Sequence, residues 1–80
     1  MKHIHDIVRK CQQLSQREAD AADLLLLDLE FANIARRMGI TTDTVKSYLK
    51  QARKKLGVRS RIGLALYWQQ YRAHQQNHEG

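Results

Sequence analysis

Apolar residues recur at helical intervals through most of this chain, and the interval is cleanest between residues 41 and 56. There Val45, Leu49, Ala52 and Leu56 stand four, three and four apart, which at about 100° per residue puts them on one narrow helical stripe. Thr41 occupies the N-cap position, Asp43 the first turn, where a negative charge suits the helix dipole, and Gly57 the position of a C-cap glycine. On the other side Lys46, Ser47, Lys50 and Lys54 fan out, with Asp43 and Thr44 nearer the start. Taken alone, this is an ordinary amphipathic helix with a solvated lysine face.

The flanking segments give that helix a setting. Ile4, Ile7, Val8, Cys11 and Leu14 recur at three- and four-residue steps and predict a short amphipathic helix over 2–13. Ser15-Gln16-Arg17-Glu18 is a capping box that opens a second helix, expected to close near Asp28, a residue type that tolerates turn and left-handed conformations. Phe31, Ile34, Ala35 and Met38 predict a third helix of about two turns with Arg36 and Arg37 outside, and Gly39 permits a tight turn into the lysine-faced helix. A helix, a short glycine turn and a basic-faced helix make a helix-turn-helix, in which the lysine face enters a DNA major groove.

Val58 is expected to plug the core after Gly57, and Ser60 to cap a last helix. In that helix Ile62, Ala65 and Leu66 share one face, and Leu64, Tyr67, Trp68 and Tyr71 another that so small a domain would struggle to bury. Such aromatics are common interface anchors; alternatively, Trp68 folds over the core or the N-terminal helix. The expected organisation is an N-terminal amphipathic helix at 1–13, a helix-turn-helix domain at 14–71 and a frayed polar tail at 72–80.

Charge sharpens the functional reading. Residues 1–35 carry four bases and six acids, whereas residues 36–61 carry nine bases against Asp43 alone, so the net +6 is concentrated in one third of the chain. Solubility needs no such segregation; a polyanion-binding face does. With no proline and abundant Ala, Leu, Gln, Arg and Lys, the chain is expected to be all-α. The single cysteine, Cys11, forms no internal disulfide and suits a reducing cytoplasm, and the leucine run at 24–27 is far too short to span a membrane. His3, His5 and Cys11 do not converge as metal ligands, so no metal or other cofactor is expected. Neither a phosphate-binding glycine loop nor a nucleophile-base constellation occurs, and the chain is not expected to be an enzyme.

The motifs Leu14-Ser15-x-Arg17-Glu18, Ile34-Ala35, Met38-Gly39-Ile40, Thr44-Val45-Lys46 and Lys55-Leu56-Gly57-Val58-x-Ser60-Arg61 follow one another over residues 14 to about 68. In order and spacing they resemble the LuxR-type (GerE/FixJ-like) helix-turn-helix domain of bacterial transcription regulators. The resemblance implies a four-helix bundle, here with an additional N-terminal helix, whose third helix (41–56) lies in the major groove and whose fourth pairs two copies. It implies base and phosphate contacts from Lys46, Ser47, Lys50 and Lys54, backbone contacts near Thr42, Thr44 and Arg59, and a dimer interface of Leu64, Tyr67, Trp68 and Tyr71. Asp28, Glu30, Asn33 and Tyr48 depart from the usual glycine, hydroxyl cap, glutamate and histidine. Only thirteen residues precede Leu14, so a stand-alone regulator without a sensor domain is expected, acting in the cytoplasm as a homodimer on an inverted repeat. One alternative is a protein-interaction antagonist or co-regulator that pairs with a larger LuxR-type regulator or with RNA polymerase; another is that the chain is the effector domain of a longer protein.

Overall fold

A computed structural model describes residues 2–28 and 30–79, with side chains from 4 to 76 apart from Leu29. Among the described residues there are five helices: α1 (Lys2–Cys11), α2 (Gln16–Leu27), α3 (Phe31–Met38), α4 (Thr42–Leu56) and α5 (Arg61–Glu79). No strand occurs among the described residues. Met1 and Gly80, the outer ends of the expected first and last segments, and the His3 side chain lie outside the description.

The helix boundaries follow from local chemistry. At α2, Ser15 Oγ accepts from the Glu18 amide at 3.1 Å while Glu18 Oε1 accepts from the Ser15 amide at 2.9 Å, so the capping box closes in both directions. Asp28 does end α2, but through extended backbone (φ −158°) rather than a left-handed turn. Its carboxylate then accepts from the Glu30 amide at 2.8 Å and Asn33 Nδ2 at 2.6 Å, bridging the loop into α3. The Glu30 side chain makes no cap bond at α3, as expected of a poor cap. Gly39 (φ +69°) and Gly57 (φ +73°) end α3 and α4 in the left-handed region, where a side chain would be strained. Ser60 Oγ caps α5 through the Gly63 amide at 2.9 Å.

Each of the other four helices packs on α4. Its stripe of Val45, Leu49, Ala52 and Leu56 is at most 1% exposed and meets Ala21, Ala22 and Leu25 of α2, Ile34 and Ala35 of α3, and Leu64 and Trp68 of α5 in one core. Helix α1 lies across α5 and α4, adding Ile7 and Cys11. Burial pushes the Cys11 thiol up to about 12, so it behaves as a small apolar group.

The last helix corrects two expectations. Leu64 (0% exposed), Trp68 (1%) and Tyr71 (7%) are buried within the domain, and Tyr67 is half-buried beside them. The face expected to anchor a dimer is therefore covered by the domain's own core and α1, and the large apolar side chains that α5 leaves in solvent, among the described residues, are Ile62 and Leu66. Nor does order end at residue 71: α5 continues to Glu79. Asp23 of α2 takes a bidentate pair from Arg72 Nε and Nη2 (2.9 and 2.8 Å) and a third bond from Trp68 Nε1 (2.7 Å), while the Arg72 guanidinium lies 5.0 Å from the Trp68 ring centre. Arg72 also donates to Gln75, which donates to Tyr71 Oη, so the added turn is fastened from several directions.

These environments separate two substitutions on one helix. Trp68→Ala should lower unfolding free energy by about 3–5 kcal/mol, the usual result of emptying a fully buried aromatic site, while Leu66→Ala should stay within about 0.5 kcal/mol. Urea denaturation of the two variants checks this; equal losses would contradict the burial of Trp68.

Candidate nucleic-acid interface

Because the buried stripe fixes how α4 is turned about its axis, its outward line is Asp43, Ser47, Lys50 and Lys54, spaced four, three and four apart. Lys46 flanks this line on one side and Gln51 on the other. All six are exposed, and none makes a hydrogen bond or ion pair with the described residues. An ammonium unspent within the fold remains available to a phosphate or a base edge. Thr42 and Thr44 are half-buried at the start of α4, and Arg59 is exposed beyond its end. Thr44 Oγ1 lies 2.9 Å from Thr41 Oγ1, and the Thr44 amide donates to Thr41 Oγ1 at 3.2 Å, so part of the Thr44 chemistry is spent on the cap. The structure brings Lys46, Ser47, Lys50 and Lys54 together on one face, with Thr42, Thr44 and Arg59 at its two ends.

Two long-range bonds hold this helix in place. Lys55 Nζ lies 2.7 Å from Glu18 Oε1, so the carboxylate that closes the α2 capping box also grips the last turn of α4. Burial alone would raise the Glu18 pKa, but the Lys55 ammonium and the Ser15 amide and hydroxyl outweigh it and hold the carboxyl below its ordinary value. At the other end, Arg17 Nη2 donates to the Met38 carbonyl at 3.3 Å, tying the first turn of α2 to the turn that enters α4. Arg61 stacks 4.8 Å from the centre of the Phe31 ring, linking α5 to α3.

Gln51 was absent from the residues singled out in the sequence, although the same helical arithmetic places it beside Ser47 and Lys54. The opposite holds for Lys55: sequence position groups it with the basic block, but its charge is engaged by Glu18. Among the described residues no group of three or more His, Cys, Asp or Glu side chains could hold a metal, and no helix is long and apolar enough to cross a membrane.

Residues 12–68 match the family described as bacterial regulatory proteins, luxR family. The chain belongs to the luxR family. It is 39% identical over 64 residues to the nitrate/nitrite response regulator protein NarL of Escherichia coli strain K12, and equally to NarL of strain O6:H1 (CFT073). Each match covers 80% of this chain and 30% of the relative, so the chain spans well under half of the curated relatives it matches. No solved structure matches at a significant level. The luxR-type segment is a helix-turn-helix DNA-binding domain of the kind that regulates transcription, and not an enzyme. Its boundaries enclose α2, α3, α4 and the first part of α5, while α1 lies wholly outside them.

The Glu18 bond carries a pH signature. A carboxyl whose folded pKa is depressed contributes stability that is complete above its unfolded value and is lost as pH falls through the folded one. Wild-type stability should therefore fall below about pH 4, the unfolded carboxylate range, and Glu18→Gln should be less stable at neutral pH by about 1–2 kcal/mol while showing a shallower acid decline. Thermal melts from pH 7 to 3 measure both; parallel curves for the two proteins would contradict the assigned role of Glu18.

Proposed function

We propose that this chain is a sequence-specific transcription regulator that lays α4 in the major groove of double-stranded DNA and binds an inverted repeat as a homodimer in the bacterial cytoplasm. The observation that supports it best is the set of unpaired lysines on the exposed face of α4, Lys46, Lys50 and Lys54, on a helix whose opposite stripe is fully buried. In this reading Lys46 and Lys50 donate to guanine O6 and N7 or to phosphates, Ser47 reaches a base edge, Lys54 neutralises the backbone, and Thr42, Thr44 and Arg59 hold the flanking phosphates. The nitrate/nitrite response named for the relatives belongs to proteins of which the match covers 30%, and the proposal does not rest on it.

The dimer is proposed through the solvent side of α5, where Ile62, Leu66, Gln69 and Ala73 form an exposed line four, three and four apart. A line along a single helix can meet its own copy across a two-fold axis. A second reading, a co-regulator that docks on a larger luxR-type protein or on RNA polymerase, is favoured by Leu26 and Leu27 (37% and 72% exposed). They border a groove of about 280 Å³ shared with Ala65 and Gln69 of α5.

One titration distinguishes these readings. Wild type, Lys46→Ala/Lys50→Ala and Leu66→Glu are bound to the DNA upstream of the gene, to the inverted repeat and the single half-site taken from it, and to random duplex across a salt series. For the DNA reader, the double lysine variant should lose preference for the upstream DNA, and the slope of log K against log salt should fall by about 0.9 for each of the two lysines that sits on a phosphate rather than a base. Leu66→Glu should keep that preference but bind an inverted repeat no more tightly than a half-site. Wild-type binding that is absent or insensitive to salt would overturn the proposal and leave the co-regulator reading.

A further inference from the structure

We propose that Asp43 is a specificity-determining residue of the α4 surface: its carboxylate selects a cytosine within each half-site and disfavours DNA that lacks one there. This rests on the reading above that α4 enters the major groove. Asp43 is the one acid among the ten charged residues between 36 and 61, and the fold does not hide it. It is exposed, in the first turn of α4, and it heads the outward line that continues through Ser47, Lys50 and Lys54.

No internal role accounts fully for it. The helix is already capped by Thr41 Oγ1, which accepts from the Thr44 amide. Lys46, one turn away and able to pair with it, lies beyond ion-pair distance, and Asp43 makes no hydrogen bond with the described residues. A favourable interaction with the helix dipole remains, but that needs only a negative charge near the N-terminus and would serve equally on the side of α4 away from DNA. On the groove-facing line the same charge repels every nearby phosphate. It therefore weakens indiscriminate binding while offering two acceptor oxygens at the end of the helix that reaches base edges first. In the major groove the cytosine N4 amino group is a donor suited to a carboxylate, whereas guanine presents only acceptors there. The lysines that follow have the complementary preference, so one face would combine an acceptor for cytosine with donors for guanine.

The test is selection from a randomised duplex library with the full chain as wild type, Asp43→Asn and Asp43→Ala, together with binding to random duplex and a thermal melt of each. Asp43→Asn keeps the size of the side chain and exchanges acceptor-only chemistry for an amide that pairs with adenine N6 and N7. The wild type should enrich cytosine at one position of each half-site, with about ten-fold discrimination, within the range usual for a single mismatched pair. Asp43→Asn should shift that position towards adenine, Asp43→Ala should leave it unselected, and both should retain the other selected positions. Both variants should also bind random duplex about two- to five-fold more tightly, because a charge that repels phosphates is gone. An unchanged motif in both variants, with a lowered melting temperature alone, would assign Asp43 to the helix dipole and overturn the proposal. A wild type that binds duplex in a salt-dependent way but selects no cytosine would overturn it while leaving α4 as a DNA-binding element; a wild type that binds no duplex would overturn both.

Discussion

Burial of Val45, Leu49, Ala52 and Leu56 is the constraint on which the remainder of this structure depends. Four side chains at most 1% exposed leave α4 one rotation about its axis, because turning it by a single residue would carry apolar groups into water and lysines into the core. The outward line of Asp43, Ser47, Lys50 and Lys54 is the geometric complement of that burial. Ala52 contributes by its small size, and α1, α2, α3 and α5 supply the walls. What this chain presents to a nucleic acid is thus decided by what it hides from water.

The bonds around α4 separate cations engaged within the fold from lysines left uncommitted on its outer face. Lys55 is drawn into the fold by Glu18, and Arg17 and Arg61 are occupied by the Met38 carbonyl and the Phe31 ring. Lys46, Lys50 and Lys54 have no such partner among the described residues. A count of charges along the sequence treats both groups alike, although only the second is uncommitted for phosphate contact. The Glu18 carboxylate, serving the α2 cap and the end of α4 together, couples helix formation at one site to the placement of the other.

Much of this was legible in the amino-acid sequence because it is local. Ser15 to Glu18, Thr41 to Thr44 and the glycines at 39 and 57 are signals contained within one turn, and they set the boundaries of α2, α3 and α4. The failures lie where chain-distant residues meet. Trp68 is withdrawn from the surface by α1 and by Asp23, 45 residues away, and the same Asp23 fastens Arg72 and carries α5 beyond residue 71. Helical periodicity could divide α5 into faces but could not say which one α1 would cover. Gln51 differs: it is a neutral amide that carries no charge signal, although the periodicity places it among the exposed residues.

The central claim, that the face opposite the buried stripe of α4 meets DNA, is tested most directly by mapping backbone amide shifts of the labelled protein during titration with duplex. Perturbations concentrated from Thr41 to Lys54 and near Arg59, with Ile62, Leu66 and Gln69 changing only if two copies pair, are the predicted result. Perturbations centred on Leu26, Leu27 and the α5 surface, with the amides of Lys46, Ser47 and Lys50 unmoved, would contradict it.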